Sequence, residues 1–141
     1  MSERFLFAKR NWYPHMMPAD VAIWERFIDL HPDAYDFVEY DVKVGSVPEF
    51  VSEHPDEAMQ KQAPLYEKKI DVLGYFHTEI DIIELKPRAR MSTLGQVKGY
   101  VALYKRDREP LEKVNAVIIT DERRPDMGEL AKIDGVGLII V

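Results

Sequence analysis

Two strand-like runs follow one another in the middle of the chain, Lys69-Ile-Asp-Val-Leu-Gly-Tyr-Phe76 and Glu79-Ile-Asp-Ile-Ile-Glu-Leu-Lys86. Only His77-Thr78 separates them, a link short enough for a β-hairpin although it is not the favoured Asn-Gly type. Pro87 cannot donate to a strand ladder, so it marks the end of the second run. The stretch therefore predicts two neighbouring antiparallel strands.

The segments around this hairpin predict a mixed α/β chain. A broad apolar stripe predicts a helix from about Pro18 to Leu30, with Asp20 at or near its N-cap. Alternation from Phe37 to Val44 is typical of a half-buried strand, and the apolar run from Val114 to Thr120 is typical of a strand covered on both faces. The other predicted elements are a short helix near 56–62 in a long connection, a helix from Ser92 to about Lys105, a short helix around 125–132 and a last strand from Gly137 to Val141. This order predicts a mixed central β-sheet flanked by helices.

Composition narrows the class of protein. The chain has 141 residues, of which 46% are hydrophobic and 31% charged, and it has no repeat or Gly/Ser linker, so we expect one domain over 1–141. It contains no cysteine, which excludes disulfides, zinc ribbons, iron–sulfur clusters and thiol nucleophiles and fits a cytoplasmic location. No apolar stretch is long enough to cross a bilayer, so no membrane partner is expected. The net charge of −6 requires any nucleic-acid contact to come from a local basic patch.

An acidic and a basic side chain lie two residues apart at the end of the second run. Glu84 and Lys86 should point to the same face, and Asp71 lies in the preceding run. Two carboxylates on adjacent strands can hold a divalent cation, and a nearby lysine can orient water or stabilise developing negative charge. The spacing alone has low specificity, because acid-x-Lys occurs three times, and a solvated cross-strand ion pair is the alternative interpretation.

In these motifs the chain resembles the PD-(D/E)XK nuclease superfamily, which has the restriction-endonuclease-like fold. The matching stretches are Ile70-Asp71-Val-Leu-Gly74, Ile82-Ile-Glu84-Leu-Lys86 and Gln96-Val-Lys-Gly-Tyr100, within a helix–strand–strand–strand–helix–strand order. The resemblance covers roughly Asp20 to Thr120, and it departs from the family's pattern at Ile70, which replaces the namesake proline. It implies an α-β-β-β-α-β core.

The same resemblance assigns roles to residues. It implies that Asp71, Glu84 and the carbonyl of Leu85 are metal ligands, that Lys86 is the catalytic lysine and that Gln96 is the helix glutamine of many members. Some members add a glutamate from the first helix. Glu25 is the candidate for that role, with Asp20 and Asp29 as alternatives and a solvated helix position as the other interpretation of Glu25.

A basic segment follows the acid pair. No acid occurs between Glu84 and Asp107, whereas six basic residues do. This pattern predicts phosphate binding beside the presumed metal site, although ordinary solvated surface charge is the alternative. The expected nucleic-acid-binding residues are Arg88, Arg90, Lys98 and Tyr100.

The sequence therefore predicts a Mg²⁺-dependent nuclease acting on DNA, with RNA left open and Mn²⁺ able to substitute for Mg²⁺. A non-catalytic nucleic-acid-binding or structural module with the same fold is the alternative. A homo-oligomer or a larger complex is compatible with the small size of the chain.

Overall fold

Six strands form one sheet in the order β1-β2-β3-β4-β5-β6. A computed structural model describes residues 3–46, 49–62 and 68–141. The strands are β1 (Arg4–Leu6), β2 (Phe37–Val44), β3 (Lys68–Phe76), β4 (Glu79–Leu85), β5 (Lys113–Thr120) and β6 (Gly137–Ile140). The helices are α1 (Pro18–Leu30), α2 (Glu49–Ser52), α3 (Glu57–Gln60), α4 (Met91–Arg108) and α5 (Met127–Asp134).

The predicted hairpin is confirmed as β3 and β4. The pairing of Val72 with Ile83 and of Phe76 with Glu79 is antiparallel, and only two residues connect the strands. Strands β1 to β4 are antiparallel, whereas β4, β5 and β6 run parallel. The parallel pairs need crossover connections, which α4 and α5 provide. The sheet is therefore mixed, as the sequence predicts.

Helices cover both faces of the sheet. The core beneath α1 contains Trp24 and Phe27 together with β-strand residues such as Val38 and Ile83. The core beneath α4 and α5 contains Val97 and other helix residues together with strand residues such as Ile82. Strand β4 contributes to both cores because its side chains alternate between the faces.

Two features at the start of the chain differ from the sequence predictions. Helix α1 begins at Pro18 with Met17 as its N-cap, so Asp20 is the third helical residue, and its carboxylate accepts a hydrogen bond from the Met17 N–H. Proline suits the first helical position because its fixed φ is already helical and it has no N–H to leave unpaired. Strand β1 was not expected, because three residues are too few to show a period. It is held by Phe5, whose ring packs 5.6 Å from that of Tyr40.

The other predicted elements are present within two or three residues of their expected bounds. The short helix expected near 56–62 is α3, capped by the Asp56 carboxylate, which accepts from the Ala58 N–H at 2.9 Å. A second single-turn helix, α2, precedes it in the long connection, of which 47, 48 and 63–67 lie outside the described residues. The finer prediction, a restriction-endonuclease-like core, remains a prediction.

No described helix combines the length and apolar character that a membrane span requires.

Candidate functional site

The two acids of the hairpin lie opposite each other where β3 and β4 separate. Val72 pairs with Ile83, so one step further along the ladder places Asp71 opposite Glu84. Residues directly opposite in an antiparallel pair point to the same side. We call Asp71, Glu84 and the adjacent Lys86 the acid pocket.

The carboxyl groups of the acid pocket have few hydrogen-bond donors. Glu84 is 6% exposed, and its Oε2 atom is buried with no hydrogen-bond partner among the described residues. Asp71 Oδ2 accepts one hydrogen bond, from the Leu85 N–H at 2.9 Å. A buried polar atom without a partner costs about 1–3 kcal/mol, so this pocket is destabilised unless a proton or a cation satisfies it.

Burial and neighbouring charges both act on the acid pair. Burial raises the pKa of Glu84 well above its ordinary value, and the neighbouring Asp71 carboxylate raises it further. Burial also raises the pKa of Asp71, while its hydrogen bond from the Leu85 N–H has the opposite effect. The positive charge of Lys86 lowers the pKa of both acids. Lys86 is itself exposed, and its charge acts on both buried acids.

The carbonyl of Leu85 faces the strand that carries Asp71. In a strand, the N–H and C=O groups of one residue point to the same neighbour. The Leu85 N–H donates towards β3, whereas the Lys86 N–H donates to the Ile119 carbonyl of β5 at 3.0 Å. This alternation directs the Leu85 carbonyl towards the same side as the Asp71 carboxylate. The structure therefore brings together Asp71, Glu84, Leu85 and Lys86.

The segment that follows the acid pocket is fixed by hydrogen bonds to the end of β5. The Ala89 N–H donates to the hydroxyl of buried Thr120 at 3.0 Å, and the Arg88 N–H donates to Asp121 Oδ1 at 2.8 Å. Sequence reasoning did not single out Thr120 and Asp121. The sequence does contain an indication of them, because they are the polar residues at the end of a continuous apolar strand.

Gln96 and Tyr100 lie together on α4, beside the acid pair. The Gln96 Nε2 atom donates to the Tyr100 hydroxyl at 2.8 Å. Burial raises the pKa of the Tyr100 phenol, and the charges of Glu84 and Asp71 raise it further. Tyr100 is therefore the α4 residue on which the charges of the acid pair act, and Gln96 is hydrogen-bonded to it.

The carboxylate that α1 brings to the acid pair is that of Asp20, not that of Glu25. Asp20 raises the pKa of both Asp71 and Glu84 through its charge. Glu25 instead accepts a hydrogen bond from the Tyr13 hydroxyl at 2.9 Å, and Tyr13 is buried in the α1-side core. Helical spacing places Asp20 and Glu25 on different parts of the helix surface, and only the packed structure shows which part meets the acid pocket.

A further acid, Asp41, lies opposite Asp71 on the other neighbouring strand. The pairing of Tyr40 with Val72 and of Val42 with Ile70 places it there. Asp41 has a φ of 54°, in the left-handed region that costs a non-glycine residue about 1 kcal/mol or more. Its carboxylate raises the pKa of Asp71 and lies 3.5 Å from His15 Nε2.

At left-handed Asp41, the side chains of β2 change the face of the sheet to which they point. Tyr40 packs in the α1-side core, whereas Val42 packs in the α4-side core, although alternation would place both on one face. Strand β3 reverses at the same level, between Val72 and Ile70. Asp71 lies at this reversal, which explains how its carboxylate reaches the backbone of β4.

The predicted basic patch is only partly continuous. Arg88 and Arg90 are exposed on the segment after the acid pocket, as expected. Lys98 turns away from them and forms an ion pair with Asp134 of α5, with Nζ 3.5 Å from Oδ1. The sequence could not show this pairing because it depends on how α4 packs against α5.

Within the described residues, no group of three or more His, Cys, Asp or Glu side chains is arranged to hold a metal ion. Comparison with protein-family models, with curated proteins and with solved structures finds no match to this chain. The chemistry of the site must therefore be argued from its own residues.

Proposed function

We propose that this protein is a metal-dependent nuclease that hydrolyses phosphodiester bonds, with DNA as the first substrate to test. One observation carries the proposal. Buried Glu84, whose Oε2 atom has no hydrogen-bond partner among the described residues, lies opposite Asp71 of the neighbouring strand, and exposed Lys86 is two residues further along. Packing alone gives no reason for this arrangement, because a buried acid without donors lowers stability.

The donor set fits a hard divalent cation. Asp71, Glu84 and the Leu85 carbonyl offer only oxygen atoms, which are the ligands that Mg²⁺ and Mn²⁺ prefer. Mg²⁺ in phosphoryl-transfer sites is commonly held by one or two carboxylates and completes its shell with water and substrate phosphate oxygens. Two acids are therefore enough for such a site, and a bound cation would supply Lewis-acid polarisation of the phosphate.

The remaining residues can position and stabilise the reacting groups. The ammonium of Lys86 can hydrogen bond a water molecule and stabilise negative charge that develops on the phosphate. The amide of Gln96, held by the Tyr100 hydroxyl, can orient that water or a phosphate oxygen. Asp20 adds a third carboxylate on the α1 side, and Arg88 and Arg90 can contact flanking phosphates.

The non-catalytic alternative has one observation in its favour, the lack of a three-ligand acidic or histidine group among the described residues. A binding module of this kind would bind nucleic acid without cleaving it. Metal dependence distinguishes the two functions.

The test combines thermal melting with a cleavage assay on single-stranded, duplex and branched DNA, with Mg²⁺, Mn²⁺ or EDTA. We expect Mn²⁺ to raise the melting temperature, because a ligand at 100 times its Kd stabilises the folded state by about 2.7 kcal/mol. We also expect Mn²⁺ to support cleavage. Asp71→Asn should lose both effects, while Glu79→Gln, a matched change at the opposite end of β4, should keep both. Absence of both effects in the unmodified protein would support the binding module instead.

A further inference from the structure

A cavity opens where α4 and α5 begin, at the carboxyl ends of β4 and β5. It has a volume of about 570 Å³, and its lining includes Arg90, Ser92, Arg123 and Arg124. In sheets with parallel strands, ligands commonly bind at the carboxyl ends of the strands, beside the helix starts. We call this space the arginine cavity.

The arginines of the cavity lack anionic partners. None of Arg90, Arg123 and Arg124 forms an ion pair within the part of the chain that the structure describes. The Nε atom of Arg124 is buried and has no hydrogen-bond acceptor among those residues. Two acids, Glu122 and Asp126, also line the cavity, so three guanidinium groups still exceed the negative charge. A buried guanidinium donor without an acceptor indicates a site that an anion completes.

The helices add to the attraction for an anion. Helix α4 has 18 residues, carries no acid in its first turn and has Lys105, Arg106 and Arg108 in its last turn. The aligned peptide dipoles give the N-terminus of this helix a partial positive charge, and no acid of the first turn offsets it. The helix begins at Met91, which lines the cavity. Together with the unpartnered Arg124 donor, this end of the helix favours a phosphate group.

The arginine cavity lies within reach of the acid pocket. Arg90 is only four positions after Lys86, so their Cα atoms are at most about 14 Å apart. The connecting segment is fixed to β5 by the hydrogen bonds of Ala89 and Arg88. Successive phosphates of a duplex strand rise by about 3.4 Å, so a strand at the acid pocket would present other phosphates at this distance.

We propose that the arginine cavity binds a phosphate group of the nucleic-acid strand, separate from the phosphate at the acid pocket. The inference rests on the proposed nuclease function for its choice of ligand. It assigns Arg123 and Arg124, which are far along the sequence from the acid pocket, to substrate binding. A free phosphate group offers the same chemistry, so the experiment separates the two sources.

The test measures the binding of a fluorescent oligothymidylate, with and without a 5′-phosphate, to the full chain in EDTA over a range of salt concentrations. We expect Arg123→Gln and Arg124→Gln each to weaken binding about tenfold, because a hydrogen bond to a charged group is lost. The salt dependence should fall by about 0.7 per lost phosphate contact on a single strand. Arg26→Gln, which removes one exposed charge from α1, should change affinity less than about twofold.

The oligonucleotides also identify the phosphate. A loss confined to the 5′-phosphorylated strand indicates a terminal phosphate, and an equal loss for both strands indicates an internal one. Either result supports the proposal. It is overturned if both arginine variants behave like Arg26→Gln, or if neither strand binds while inorganic phosphate raises the melting temperature in an Arg124-dependent way. Arg123 is exposed, so its variant keeps the test valid if Arg124→Gln does not fold.

Failure of the nuclease proposal would give a different set of results from failure of the phosphate-binding proposal. The protein would then cleave nothing in any metal, yet binding of the strand in EDTA would still depend on Arg123 and Arg124. The variant Glu79→Gln, at the opposite end of β4, should bind the oligonucleotide as the unmodified protein does. These measurements separate the two proposals because none of them requires cleavage.

Discussion

Each end of β4 carries buried or half-buried acids, but the two ends differ in the hydrogen-bond donors that these carboxylates meet. At the start of the strand, Asp81 accepts from the Tyr35 hydroxyl at 2.6 Å and from the Asn115 amide at 2.9 Å. The same amide donates to Glu79 at 3.1 Å. We call Tyr35, Glu79, Asp81 and Asn115 the far network. At the other end, Glu84 Oε2 has no described partner.

Hydrogen-bond donors distinguish a buried acid that stabilises the fold from one that does not. Neutral donors that fill both oxygens of a carboxylate make it part of the fold, because the hydrogen bonds replace those lost from water. An acid left without donors has no such structural role and must bind something else or remain protonated. The far network therefore has a structural role, whereas the acid pocket is the proposed site of chemistry.

The largest expected effect comes from removing Lys86, which follows β4, and Lys113, beside the start of β4, provides the control. Lys86→Ala should lower the rate of metal-dependent cleavage about 10²–10³-fold, because its charge acts chiefly as negative charge develops on the phosphate. Lys113→Ala removes a lysine 3.8 Å from Glu79 in the far network and should leave the rate unchanged. Initial cleavage rates at saturating Mg²⁺ measure both effects.

Mn²⁺ should still raise the melting temperature of Lys86→Ala, because this variant keeps the ligands of the cation. Equal losses of rate in the two lysine variants would contradict the contrast between the two ends of β4.

A smaller effect concerns stability without metal. Asp81→Ala should lower the free energy of unfolding by about 1–3 kcal/mol, because the buried Tyr35 hydroxyl loses its acceptor. Glu84→Gln should leave it unchanged or raise it, because the amide removes a buried acid and can donate to Asp71. Urea unfolding at pH 7.5 in EDTA measures both changes. A loss in Glu84→Gln as large as that in Asp81→Ala would make Glu84 a structural residue.

The sequence predicted the elements well because their signals are local. Alternation, prolines and apolar runs decide strands and helices over a few residues, and β2, β3, β4 and β5 all lie close to their expected bounds. The short motif at Glu84 and Lys86 also placed the acid pocket, since two residues on adjacent strands need only the hairpin to bring them together.

The rest depends on contacts between distant segments. Which turn of α1 meets the sheet decides that Asp20, not Glu25, acts on the acid pair. The pairing of Lys98 with Asp134 depends on the packing of α4 against α5. The reversal at Asp41 depends on a left-handed residue inside a strand that alternates normally in sequence. None of these has a local signal.

The last expected effect, measured per pH unit, is the pH dependence of stability in the metal-free protein. Burial raises the pKa values of Glu84 and Asp71 in the folded state, and the charge of Asp71 raises that of Glu84 further. Asp20 also raises both pKa values and Asp41 raises that of Asp71, whereas Lys86 lowers both. Between the ordinary carboxyl pKa of about 4.5 and the raised values, the folded state binds more protons than the unfolded state. Stability therefore falls as pH rises through this range and is retained at lower pH.

Glu84→Gln should flatten this fall by up to about 1.4 kcal/mol per pH unit, the contribution of one proton. Glu79→Gln, in the far network, should keep the slope of the unmodified protein. Denaturant unfolding in EDTA at several values between pH 5.5 and pH 8.5 gives the three slopes. Parallel curves for all three proteins would mean that the acid pocket is hydrated and ionised in the folded state. The contrast between the two ends of β4 would then lie in their hydrogen bonds and not in their charge.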